Sequence, residues 1–105
     1  MPHIHLATHR FTADRAWGAL ELAQVEGASI KVHWTNAPYV WHVNDGAEVF
    51  AVIAGAVEMK YLQAGVEASV VLQAGDVFVA DVGDSHVAHP IGEARILVVE
   101  KQGSV

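Results

Sequence analysis

The chain contains no cysteine, which removes disulfides, thiolate metal sites and a cysteine nucleophile at once. That absence leaves the redox compartment open, with the cytoplasm as the default expectation. Basic residues are scarce as well. Six Lys and Arg stand against twelve Asp and Glu, for a formal net charge of −6. Nucleic acids and anionic membranes need basic patches that so few cations do not build, so neither is an expected partner. Long apolar runs are also missing. The longest, residues 49–57, is too short to span a bilayer, and the N-terminal stretch has no basic segment followed by an apolar one, so no secretory signal is readable. No Gly-rich phosphate loop or serine nucleophile setting is visible.

What is present points to a small apolar β domain. Its 105 residues suffice for one core and not for two, and no internal linker interrupts them. A hydrophobic fraction of 52% beside 17% charged residues is more apolar surface than so thin a shell hides, which predicts a homodimer. Seven histidines are the unusual count.

Short alternating or β-branched stretches recur along the chain. His3 to Leu6 alternates but is terminal, and no function is assigned to it. A turn near Asp14 leads to a strand over 19–25, and Gly27-Ala28-Ser29 is a tight connection to Ile30-Lys31-Val32-His33-Trp34. There Ile30, Val32 and Trp34 share one face, and Lys31 and His33 the other. The two strands read as a hairpin. Asn36-Ala37-Pro38 breaks the ladder, because proline has no N–H to donate. Further strands follow over 39–44, from Glu48 onward with Gly55 as punctuation, and over 67–72, 77–80, 86–89 and 94–100. Nine or ten short strands at such intervals predict an all-β barrel or sandwich, where closure protects the edges.

The chemistry concentrates in two stretches. His42 and Asn44 are two apart and share a strand face, while Asn44-Asp45-Gly46 is a hairpin-turn signal that returns the chain toward Glu48. His86 follows a second Gly-punctuated strand. Together His42, Glu48 and His86 make two imidazoles and one carboxylate, a donor set that suits iron, manganese, nickel or zinc. The plainer accounts are that Asn44 serves only its turn and that His42 and Glu48 end a solvated strand. His89, three residues from His86, falls on the opposite strand face and reads as a surface residue. His33 would touch a substrate if its face looked into the barrel, but an exposed strand histidine is the more ordinary account. Trp34, Trp41, Phe50 and Phe78 either wall a pocket or are plain core.

These gaps resemble the two motifs of the cupin superfamily, small β-barrels of jelly-roll topology, over about residues 30–100. His42, Glu48 and Gly55 stand at the first motif's spacing, with Asn44 in place of its second histidine and Asn36 in place of its first glycine. Gly75, Gly83 and His86 stand at the second motif's spacing, with Asp81 for its proline and Pro90 for its asparagine. The texture from Trp41 to Gly55 is also similar to small single-domain cupins of the mannose-6-phosphate-isomerase-like kind. The resemblance implies a single cupin domain over 1–105, its core barrel at about 30–100 and its N-terminal strands or arm at about 1–29. It also implies a divalent metal at His42, Glu48 and His86 with Asn44 as the fourth, weaker candidate, since a neutral amide oxygen is a poorer ligand than imidazole for late transition metals.

The leading expectation is a metal-binding cupin that coordinates a small oxygenated molecule, with isomerase- or dioxygenase-like chemistry. Two alternatives stand beside it. One is a metal-free barrel that binds or senses a small ligand, and the other a structural dimer subunit acting through partners.

Overall fold

A computed structural model describes residues 1–104. A 3-10 turn at Thr8–Arg10 precedes seven strands: β1 (Gly18–Val25), β2 (Ala28–Thr35), β3 (His42–Val43), β4 (Glu48–Gln63), β5 (Val66–Gln73), β6 (Val77–Ala80) and β7 (Ser85–Lys101). All pairings are antiparallel. The sheet runs β1-β2-β7-β4-β5, with β3 added to β7 and β6 added to β4.

Seven strands replace the nine or ten expected because β4 and β7 are each long enough to serve both halves of the barrel. Residues 48–54 of β4 pair with 95–100 of β7 and with β6, while residues 56–63 pair with 86–91 of β7 and with β5. Pro90 and Gly92 bend β7 without ending it. The crossover lies at Gly55, whose φ is +80°, between two register shifts. A Cβ there would lie 2.2 Å from the Glu93 carbonyl oxygen, a clash that leaves only glycine at this close approach. The β1–β2 and β4–β5 hairpins each turn on two positive-φ residues, Glu26-Gly27 and Ala64-Gly65, the backbone that a two-residue primed turn requires.

Alternation sets the core. Phe50 and Val52 of β4 point inward, the irregularity at Gly55 shifts the phase, and Val57 and Met59 continue the same face. On β7 the inward set is Ala88, Ala94, Ile96 and Val98. Glu48 and His86 fall on those same inward faces and are buried with them, so the apolar pattern that builds the barrel also carries two polar side chains into it.

The hairpin expected between residues 42–44 and Glu48 does not form. The bend at Asp45-Gly46 moves the chain from one half of the barrel to the other. β3 pairs with the start of β7, His42 opposite His86 and Val43 opposite Ser85. The Asn44 N–H then donates to Asp84 O at 2.8 Å and its carbonyl accepts from Gly83 N at 2.8 Å, so the turn at 81–84 is what holds Asn44. Residues 3–6 form no strand.

Candidate metal centre and cavity

His42, Glu48 and His86 each bring a donor atom to one place, all within 4.8 Å of one another. β7 accounts for the two histidines, which are cross-strand partners where β3 pairs with it, and β4, which runs beside β7, carries Glu48. The His42 and His86 rings meet edge-to-face with centroids 4.3 Å apart. His42 is half-buried and its Nδ1 lies 3.1 Å from Val40 O, which fixes the ring and leaves Nε2 for another partner.

Asn44 is buried within the same cluster. Its Oδ1 lies 2.6 Å from His86 Nε2, and its Nδ2 donates to Gly46 O at 3.2 Å and to Glu48 Oε1 at 3.4 Å. His86 Nε2 also lies 3.1 Å from Glu48 Oε1. Two acceptors on one nitrogen make Nε2 the protonated one, and Nδ1 is left buried without a partner. Burial pushes the Glu48 carboxyl up, but the hydrogen bond and charge of His86, with the Asn44 amide, outweigh it and hold the group below its ordinary value. Asn44 therefore does more than serve a turn.

The cluster opens onto a cavity of about 200 Å³ whose apolar walls include Trp17, Tyr39, Phe50 and Val98. Of the four aromatic residues expected as walls, Phe50 is one. Phe78 packs against the His86 ring at 5.5 Å, and Trp34 and Trp41 do not line the space. Trp17 and Tyr39 carry no motif and escape a linear reading. Trp17 is brought in by its Nε1–H, which donates to Ala37 O at 2.9 Å, and Tyr39 lies edge-on to both Trp17 and His42.

The face bearing Lys31 and His33 does look into the cavity, against the exposed placement taken as ordinary for His33. The reason is topological. β2 lies beside β7 in register, Lys31 opposite Val98 and His33 opposite Ile96, so its polar face continues the inward face of β7. His33 Nδ1 lies 3.1 Å from Trp17 O. Burial lowers the His33 pKa, the Trp17 carbonyl raises it and the Lys31 charge lowers it again, leaving it below the ordinary value. His89 pairs with Glu58 and lines no part of the cavity, in keeping with its opposite strand face.

Glu100 is a further cavity residue that the sequence did not single out. It is the cross-strand partner of Glu48. Burial, then the neighbouring Glu48 carboxylate, push its carboxyl up to about 7, as expected when two acids share one space.

No protein-family model matches the chain, and no curated protein matches it. Solved structures do. A cupin-2 domain containing protein from Shewanella frigidimarina superposes with a TM-score of 0.76 at 24% identity, over 86% of this chain and 85% of that one. Protein NMB1881 from Neisseria meningitidis superposes with a TM-score of 0.77 at 16% identity, over 96% of this chain and 100% of that one. The chain has the cupin fold. Another protein sharing the cupin fold, the hydroquinone 1,2-dioxygenase PnpCD in complex with Cd2+ and 4-hydroxybenzonitrile, superposes with a TM-score of 0.74 at 14% identity, over 86% of this chain and 67% of that one. The narrower likeness to mannose-6-phosphate-isomerase-like cupins finds no support in these matches. Among the described residues, no helix is long and apolar enough to cross a membrane.

Proposed function

We propose that this cupin binds a divalent metal ion through His42, Glu48 and His86, with Asn44 alongside, and uses it to coordinate a small oxygenated molecule in the adjoining cavity. The observation that carries the reading is the convergence of the three donors within 4.8 Å. Their spacing fits an ion. Donors about 2.1 Å from one centre and at right angles to each other lie about 3.0 Å apart, and His86 Nε2 and Glu48 Oε1 are 3.1 Å apart. Iron, manganese, nickel and zinc all accept this set, and such an ion would supply Lewis acidity or a redox centre.

The chain's own residues define the rest. Glu48, held below its ordinary pKa, is an anionic donor at neutral pH. For His86 to offer Nε2 to an ion its proton would move to Nδ1, the ligand staying a neutral imidazole, and binding would weaken in acid, where protons compete for the same donors. Asn44, a neutral amide, binds less strongly than the imidazole for which it stands. The apolar walls keep water from the bound molecule, which suits dioxygenase-like or isomerase-like chemistry. A dioxygenase of the same fold that was captured with Cd2+ and an aromatic ligand supports the first of these. The exposed apolar residues of β5 and β6, among them Val66, Val71, Val77 and Val79, support a homodimer, and the cytoplasm is the compartment we take for it.

Metal analysis of protein purified without chelator tests the reading. About one equivalent is expected in the wild type, with loss in His42→Ala and in His86→Ala. Sub-stoichiometric metal that neither substitution changes would end it.

One observation favours a second reading, a metal-free barrel that binds a small ligand. His86, Asn44 and Glu48 already satisfy one another by hydrogen bonds of 2.6 to 3.4 Å, so the cluster is stable as a polar network without an ion. Metal-dependent turnover in a screen of phenols, keto acids and sugar phosphates would count against it.

A further inference from the structure

Among the described residues, Lys31 is the only lysine or arginine that lines the cavity. It is half-buried, in the middle of β2, and it lies in a cross-strand row with Val98 of β7 and Phe50 of β4. Two acids neighbour it in the sheet. Glu21 is its register partner on β1, and Glu100 lies one row along on β7. Neither pairs. Among the described residues three ion pairs form, His86–Glu48, Arg95–Glu93 and Lys101–Asp45, and Lys31 is in none of them. Glu21 instead accepts a hydrogen bond from Gln24 at 3.4 Å.

An ammonium group brought to an apolar-walled cavity without an ion-pair contact is costly, and the cost is relieved when an anion enters. Glu48 and Glu100 on the adjacent row limit how much negative charge the cavity accepts, which favours one charge over two. Size narrows the choice further. A cavity of about 150 Å³ takes a benzene molecule, so about 200 Å³ takes one ring with a small substituent.

We propose that Lys31 is the specificity-determining anchor of the cavity, binding the carboxylate of a small monoanionic organic acid whose apolar body rests on Trp17, Phe50 and Val98. The proposal rests on the reading of this cavity as the substrate site and names the class of substrate. It places the anionic group on the β2 wall, away from His42, Glu48 and His86, so it does not depend on whether an ion is bound there.

Benzoate and its neutral counterpart benzamide are the probes, titrated calorimetrically into the full chain in metal-supplemented and chelator-treated forms. Wild-type protein should bind benzoate about tenfold more tightly than benzamide, the size of one charge-assisted hydrogen bond. Lys31→Met should bring the two ligands to near-equal affinity in both forms, and Lys31→Arg should keep most of the preference. A preference that survives Lys31→Met would overturn the proposal. So would one that vanishes on chelation alone, because the anion would then be on the metal, and so would failure of the wild type to bind either ligand. Metal content measured on the same samples separates the two readings. A metal-free wild type with a Lys31-dependent preference sinks the metal centre and keeps the anchor, while full metal content without any preference does the reverse.

Discussion

On the β3 side of the cavity, His86, Asn44 and Glu48 satisfy one another, and His42 is fixed by a backbone carbonyl. On the β2 side, Lys31 forms no ion pair among the described residues, Glu100 has only the Glu48 carboxylate beside it, and His33 is tied down, to Trp17 O. Both walls are built on the same long strand, β7, which contributes His86 near one end and Glu100 near the other. The contrast shows two ways of placing polar groups inside an apolar barrel. A network whose members bond each other is rigid and keeps its geometry whatever the cavity contains. Charged groups left without internal partners draw their stability from solvent or from a ligand, so their energetics change with occupancy and pH.

The sharpest way to break this contrast is to change the satisfied wall at Asn44. Asn44→His replaces an amide with the imidazole found at the equivalent motif position, and should raise affinity for zinc or manganese by about tenfold or more. The metal-free protein should lose stability, because the bond from Nδ2 to Gly46 O goes with the amide, at about 1 kcal/mol. Competition against a fluorescent chelator reads the first effect and thermal unfolding after chelation the second. Unchanged or weaker metal binding would mean that Asn44 holds the turn and that the donors do not act as one set.

The two walls also differ in how they appear in the sequence. His42, Glu48 and His86 are legible because their gaps are set by short local segments: a strand, a bend and a glycine that must stay a glycine. Gly55 is the clearest of these, since its close approach to Glu93 O forbids any side chain. Lys31, His33 and Glu100 lie on ordinary strands, and whether such a face looks inward depends on which strand lies beside it. That β2 neighbours β7, with paired residues 59 to 73 positions apart in the chain, is not a local property. The same limit explains the missing hairpin at Asn44-Asp45-Gly46, where a strong turn signal marks a change of sheet. It explains as well the merging of four expected segments into β4 and β7, because a glycine or proline can bend a strand without ending it.

A smaller effect tests the unsatisfied wall. Folded Glu100 holds its proton up to about 7, against an ordinary value of 4.5. Between those limits the folded state binds more protons than the unfolded one, so its contribution to stability is complete below 4.5 and is lost as pH rises through 7. The carboxyl is about half exposed, and solvent screening reduces the loss to about 1 kcal/mol. Glu100→Gln should remove that decline. Urea unfolding of chelator-treated protein at pH 4.5 and pH 8 reads it as a wild-type midpoint that falls relative to the variant's as pH rises. The same change in both would show that Glu100 does not feel Glu48, and that the two acids do not share one space.

The smallest expected effect has the opposite sign. His33 is lowered below 6.5, first by burial and then by the charge of Lys31 acting against the Trp17 carbonyl. A histidine with a lowered folded pKa stabilises the fold above the unfolded value, and that stability is lost as pH falls, because the unfolded chain takes up a proton that the folded one resists. His33→Gln keeps a hydrogen-bonding group near Trp17 O but removes the titration, so the wild-type midpoint should decline relative to the variant's between pH 7.5 and pH 5.5. The cause can be separated from burial alone by Lys31→Met, which removes only the charge and should shrink the same decline without abolishing it. If Lys31→Met leaves the acid limb untouched, the Lys31 ammonium lies in solvent rather than over the cavity, and the contrast between the two walls fails at its most exposed point.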